Sequence, residues 1–179
     1  MFDEVLIADD DPVSLRLLQV SLTGAGYRVV VAANGSEALR ILNREDSPGL
    51  AVLDWMMPSL DGIDVCRAVR RTVHEPYLYL ILLTSKGHQS EIIEGLEAGA
   101  DDYIKKPYDL QELKARLRAG KRILQLQHQL VSAREQLRMQ ATHDSLTGLF
   151  NRVAILEFLE REVARANREK HPMSVIMAD

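Results

Sequence analysis

A single cysteine, Cys66, stands among 179 residues. No internal disulfide can form, and a reduced compartment suits the chain. Cys66 falls among apolar helix positions and reads as core. No apolar run approaches the ~18 residues that a membrane-crossing helix needs. The opening Met1-Phe2-Asp3-Glu4 carries neither a basic stretch nor a long apolar core, which predicts no secretory leader and a soluble, cytoplasmic protein. Basic excess is missing too. The 22 Lys and Arg against 26 Asp and Glu leave a formal charge of −4, which argues against a nucleic-acid partner. The histidines (His74, His88, His128, His143 and His171) are scattered and make no metal set.

What the chain does have is a repeat of short apolar runs, each ending in a polar group. Val5–Ala8 ends in Asp9-Asp10-Asp11, Leu50–Leu53 in Asp54, Tyr79–Leu83 in Thr84, and Asp102–Lys105 in Lys106-Pro107. Tyr27–Ala32 is a further strand. Helical periods lie between them. Leu15, Leu18 and Leu22 share one face after an Asp11-Pro12 helix start. A second helix spans 36–43, and a third follows Asp61-Gly62 with Ile63, Val65, Cys66 and Val69 apolar. A fourth, 89–98, stops at Gly99, and Asp109 can cap a fifth. Five β-α units with continuously apolar strands predict a five-stranded, doubly wound α/β parallel sheet covered on both faces. Ligand sites in such sheets lie beyond the carboxyl ends of the strands. Asp9, Asp10, Asp54, Thr84 and Lys106 all fall there.

The fifth helix runs on past its repeat. Leu113 and Leu117 face the domain, then Ile123, Leu126, Leu130, Ala133 and Leu137 recur at alternating spacings of three and four. The pattern predicts a helical stalk over 121–140 that pairs with a second copy, with a stutter near Gly120. The basic positions Lys114, Arg116, Arg118, Lys121 and Arg122 read as a solvated helix face. A further helix follows to about Asn167, with Val153, Leu156 and Phe158 or Leu159 on one face. The apolar run Met173–Ala178 then reads as a buried strand ending at Asp179. A lone strand has an open edge and no sheet to join, so a second α/β domain, 141–179, is expected to be only partly present.

The strand ends carry the chemistry. Three carboxylates brought together raise one another's pKa unless a cation joins them. Oxygen ligands suit Mg²⁺ or Mn²⁺, with Asp9, Asp10 and Asp54 as ligands and the Met56 backbone carbonyl as a further candidate. Asp54 alone ends the central strand and is the candidate nucleophile, giving an aspartyl phosphate. Lys106 would hold a phosphoryl oxygen. The Thr84 hydroxyl would be drawn toward the phosphate and move its loop, with Tyr103 repacking.

These residues resemble a known family. Val5-Leu-Ile-Ala-Asp-Asp-Asp-Pro12, Leu53-Asp-Trp-Met-Met-Pro58 with Asp61-Gly62, Leu82-Leu-Thr-Ser-Lys86 and Ala98-Gly-Ala-Asp-Asp-Tyr-Ile-Lys-Lys-Pro107 are similar to the response-regulator receiver domain of two-component signalling, over 1–120. The resemblance implies a flavodoxin-like fold, phosphorylation at Asp54, Mg²⁺ on Asp9 and Asp10, and phosphate-contact and switch roles for Thr84, Tyr103 and Lys106. It also implies a cis Lys106–Pro107 peptide and a partner histidine kinase or phosphotransfer protein. The stretch from His143 to Arg152 resembles the opening of GGDEF domains, which make cyclic di-GMP from two GTP. Ser174–Asp179 is similar to that domain's first strand, and Asp179 matches its first metal-binding carboxylate. The Gly-Gly-containing signature loop is absent, and no Gly-Gly step occurs in the chain, so these residues alone are expected to be inactive as a cyclase.

The function expected is a phosphorylation-controlled regulator of a diguanylate cyclase, dimeric through receiver and stalk, with GTP confined to the output domain. The alternative is a non-catalytic, cyclic-di-GMP-binding output. A transcription factor would need a helix-turn-helix after the stalk, which His143–Arg152 does not resemble. An aspartyl-phosphate phosphatase would need an Asp-X-Asp nucleophile motif, which Asp9-Asp10-Asp11-Pro12-Val13 fits poorly.

Overall fold

A computed structural model describes residues 3–72, 76–85 and 89–176. His74, Lys86, His88 and Asp179 lie outside them. Two compact units divide the chain, 1–128 and 129–179.

The first unit alternates strand and helix: β1 (Glu4–Ala8), α1 (Pro12–Thr23), β2 (Arg28–Ala32), α2 (Gly35–Leu42), β3 (Leu50–Asp54), α3 (Gly62–Arg71), β4 (Tyr79–Thr84), α4 (Gln89–Glu97), β5 (Asp102–Lys105) and the start of α5 (Leu110–Thr142). All strands are parallel, in the order β2-β1-β3-β4-β5. The central β3 and β4 are buried along their whole length, which explains their unbroken apolar runs.

Successive side chains point to opposite faces of a strand, and this splits the core in two. Leu6, Ala51, Leu53, Leu80 and Leu82 join α2 and α3 residues on one face. Val5, Ile7, Leu50, Val52, Ile81 and Leu83 join Leu15, Leu18, Leu22, Leu113 and Leu117 on the other. Asp11 caps α1 by accepting from the amides of Val13 and Ser14, both at 3.1 Å, and Pro12 opens the helix. Asp109 accepts from the Gln111 amide at 2.8 Å at the start of α5. Cys66 is fully buried, and burial pushes its thiol up to about 12. It is core, as the apolar spacing implied.

At the amino end of the sheet one arginine satisfies several buried groups. Arg70 donates to the carbonyls of Gly99 and Leu78, both at 2.9 Å, and to Asp101 at 2.7 Å. Asp101 also accepts from the Leu80 amide at 2.8 Å and from the Tyr77 hydroxyl.

Helix α5 is continuous through Gly120. The domain-facing stripe extends past Leu117 to Gly120 and Leu124, both buried. The buried stripe and the exposed stripe that starts at Ile123 lie on different faces of one unbroken helix. Gly120 serves packing, since a Cβ there would lie 2.4 Å from Cδ1 of Tyr79. The basic face is not uniformly solvated either. Arg116 bonds both oxygens of Asp102 at 3.0 Å, and Lys121 pairs with Asp3.

Leu126, near the end of the first unit, is exposed, as are Leu130 and Leu137 in the second. The His143–Arg152 stretch forms a closed loop. Asp144 accepts from the Leu146 and Thr147 amides, and Gly148 supplies a left-handed turn at φ 69°. His143 and Phe150 form an antiparallel bridge. Asn151 caps α6 (Arg152–Glu169) at the Ala154 amide, while its own amide group donates to the Ala141 carbonyl. The strand expected over 173–178 is not formed in its described part: residues 171–176 have no regular structure, and Val175 and Ile176 are exposed. A strand needs a hydrogen-bonding neighbour, and the described residues of this unit offer none.

Candidate functional site

Four strand ends converge at the carboxyl edge of the sheet. Asp9 follows β1 and is 1% exposed, and Asp54 closes β3 at 9%. Two carboxylates at such depth repel each other and lose hydration. Lys106, just past β5, answers both: its Nζ lies 2.8 Å from Asp54 Oδ1 and 3.1 Å from Asp9 Oδ2. Its backbone is anchored separately, the Lys106 amide donating to the Thr84 carbonyl at 2.7 Å. The Lys106–Pro107 peptide is cis.

Local backbone completes the frame. Asp9 Oδ1 accepts from the Asp11 amide at 2.9 Å, and Asp54 Oδ1 from the Trp55 amide at 3.0 Å. Asp10 is exposed, yet one oxygen each from Asp9, Asp10 and Asp54 falls within 4.8 Å of the others. Burial raises the Asp54 carboxyl above the ordinary range, Lys106 opposes the rise and Asp9 adds to it. Burial works against the Lys106 ammonium, but Asp54 and Asp9 outweigh it and hold its pKa above the usual lysine value.

Thr84 ends β4 and is buried. Tyr103, paired with Leu82, is half-buried against the core. Met56 lies in the loop after Asp54, its residue 58% exposed. Asp9, Asp10, Asp54 and Lys106 thus meet in one cluster with Thr84 at its rim, while Tyr103 sits on the edge strand.

Two kinds of site residue escaped the sequence reading. Tyr108, next after the Lys-Pro step, is partly buried and feels the charges of Lys106, Asp9 and Asp54. Its position beside Lys106-Pro107 was the available signal. The second kind is glycine. Gly62 reads as a helix-start residue, but its decisive feature, shared by Gly35, is close approach. A Cβ on Gly62 would lie 2.0 Å from the Asp54 carbonyl oxygen, and one on Gly35 would lie 1.9 Å from that of Leu60. Asp61, between them, takes the Met57 amide at 3.3 Å rather than capping α3. The loop that carries the Asp54 end of β3 is therefore pressed between two helix starts.

The response regulator receiver domain matches residues 5–118 of the sequence. The chain belongs to the response-regulator receiver family. Beyond the receiver, residues 141–179 match the diguanylate cyclase GGDEF domain. The receiver is 45% identical over 117 residues to a probable transcriptional regulator, ycf27, of Porphyra purpurea, covering 65% of this chain and 46% of that one. The chain therefore spans about half the length of the curated relatives it matches. Among solved structures it resembles the receiver domain of the sensor histidine kinase PA1611 from Pseudomonas aeruginosa PAO1, solved with a magnesium ion coordinated in its active-site cleft. That match has a TM-score of 0.61 and 30% identity over 66% of this chain and 97% of that one. A probable two-component response regulator/GGDEF domain protein matches with a TM-score of 0.63 and 27% identity over 68% of this chain and 50% of that one. The acidic cluster of this receiver suits Mg²⁺. Among the described residues no helix is long and apolar enough to cross a membrane.

Proposed function

We propose that this receiver accepts a phosphoryl group on Asp54 from a histidine kinase or phosphotransfer protein and thereby governs a diguanylate cyclase output. The observation that carries the reading is Lys106 Nζ shared between Asp54 and Asp9, with Asp10 beside them. Lys106 and the Trp55 amide both meet Oδ1 of the Asp54 carboxylate. As the new O–P bond forms, the bond from phosphorus to the donor's nitrogen or oxygen breaks, and the donor leaves with that electron pair. A divalent cation on Asp9, Asp10, Asp54 and the Met56 carbonyl would neutralise the transferring oxygens. Lys106 then shifts its charge from the carboxylate to the phosphoryl group. Thr84 supplies a hydroxyl to the same group, and Tyr103 follows its loop.

Mg²⁺ should therefore raise the melting temperature. A ligand at about a hundred times its dissociation constant adds about 2.7 kcal/mol. Asp10→Asn, with only an exposed side chain changed, should lose most of that rise. Scanning fluorimetry with EDTA, Mg²⁺ and Mn²⁺ checks both, and an undiminished rise in Asp10→Asn refutes the ligand assignment. Phosphotransfer is tested by intact mass after Mg²⁺ and acetyl phosphate. Failure to gain one phosphoryl group, or gain of it by Asp54→Asn, overturns the reading.

For the output, the stripe Ile123, Leu126, Leu130 and Leu137, all exposed, supports pairing of two copies along α5. Only about three heptads are present, too few for strong pairing without help. Beryllofluoride with Mg²⁺, which mimics the phosphoryl group, should double the mass seen by light scattering, and Leu130→Glu with Leu137→Glu should prevent this. A mass unchanged by beryllofluoride would sink the proposal. Cyclic di-GMP synthesis, GTP use and a metal role for Asp179 belong to the same proposed output.

A further inference from the structure

We propose that Trp55 is a positioning residue that links the Asp54 carboxylate directly to helix α4, through a notch made by Gly95. This rests on the reading of Asp54 as phosphoacceptor. The indole is buried at 5% exposure. The residue is fastened at three backbone points. Its amide donates to Asp54 Oδ1 at 3.0 Å and to the Leu83 carbonyl at 2.8 Å, and its carbonyl accepts from the Gly62 amide at 2.9 Å. One of those three partners is the carboxylate whose charge and bonding change on phosphorylation.

The ring end meets α4. A Cβ on Gly95 would lie 2.9 Å from Trp55 Cζ3 and 3.5 Å from Cη2, and 3.1 Å from Leu82 Cδ1. Gly95 is buried and inside the helix, where glycine costs about 1 kcal/mol relative to alanine. Its φ is not left-handed, so the conformation does not require glycine. The indole does. The ring therefore takes the place of a side chain on α4, and a shift in the Trp55 backbone is passed to that helix by packing, since a close-packed contact transmits displacement.

The test uses amide hydrogen exchange of residues 92–97, read by mass spectrometry with and without beryllofluoride and Mg²⁺. Beryllofluoride occupancy is measured in parallel by fluorine NMR. In the unsubstituted chain the exchange of α4 should change on beryllofluoride by about fivefold or more. Trp55→Phe, which keeps the backbone bonds but is too short to reach the notch, should bind beryllofluoride equally and lose most of that ratio. A merely structural indole would raise basal exchange and leave the ratio intact. Gly95→Ala keeps Trp55 and fills the notch; it should also reduce the ratio, and it decides the matter if Trp55→Phe does not fold. Unchanged ratios at full occupancy overturn the link and leave Asp54 as acceptor. Absence of beryllofluoride binding in the unsubstituted chain overturns both.

Discussion

Asp54→Asn is expected to lose phosphoryl uptake by on the order of a thousandfold or more, the scale seen when a nucleophile is removed, yet to melt no lower than the parent at neutral pH without Mg²⁺. The two halves have one cause. Asp54 is held at 9% exposure beside buried Asp9, and burial raises its pKa despite Lys106. Its ionised form is therefore less welcome in the fold than in the unfolded chain, where the reference pKa is about 3.9. The stability it contributes is fully present below that value and is lost as pH rises through the folded pKa. Asparagine has the same shape and cannot ionise. The melting difference between variant and parent should be near zero at about pH 4 and grow in the variant's favour toward pH 7. Thermal melts in EDTA across that range measure it. A variant that is less stable at neutral pH would mean that the Lys106 contact outweighs desolvation. On the proposed function the charge would destabilise the resting site and be kept for phosphoryl uptake, a trade common where stability and activity compete.

Gly62→Ala should cost about 3 kcal/mol, near the upper range for overpacking, and lower the melting temperature by about 10 °C. Helix propensity alone predicts the opposite sign, because alanine is favoured over glycine inside a helix by about 1 kcal/mol. The contact decides. A Cβ would sit 2.0 Å from the Asp54 carbonyl oxygen and 3.2 Å from Leu82 Cδ2. The first of these is backbone of a fully buried strand, which cannot rotate away. Either α3 or the end of β3 must move, and the second choice displaces the Asp54 carboxylate and any metal bound there. Mg²⁺-dependent stabilisation should fall together with melting temperature. Gly26→Ala is the control. Its φ is 90°, with nothing within 4 Å of a Cβ, so it should cost about 1 kcal/mol of backbone strain and leave the Mg²⁺ response intact. Equal effects of the two substitutions on Mg²⁺ binding would show that the close approach is not what matters.

Strand ends were legible in the sequence because a run that is buried on both sides must be apolar throughout, and the first polar residue then marks where the sheet stops. Val5–Ala8, Leu50–Leu53 and Tyr79–Leu83 announced themselves in this way, and the α/β topology gave Asp9, Asp54, Thr84 and Lys106 a common edge. Caps at Asp11 and Asp109 were legible for a similar reason, since a helix start needs a local acceptor. The stalk stripe was visible, but its starting phase was not. Whether Ile123 or Leu124 faces the body depends on Tyr79 and Gly49, which lie far away in sequence.

By itself the sequence determined which elements form in the first unit and which carboxylates could share a cation, because burial and periodicity are written residue by residue. The tertiary structure decided what only distance can. It gave Lys106 to Asp54 and Asp9 together and set the Asp54 carboxyl above its usual range. It made Gly62 and Gly35 contacts rather than turns, and it put the Trp55 indole where Gly95 has no side chain. It also left 171–176 unpaired among the described residues, since an apolar run becomes a strand only beside another strand.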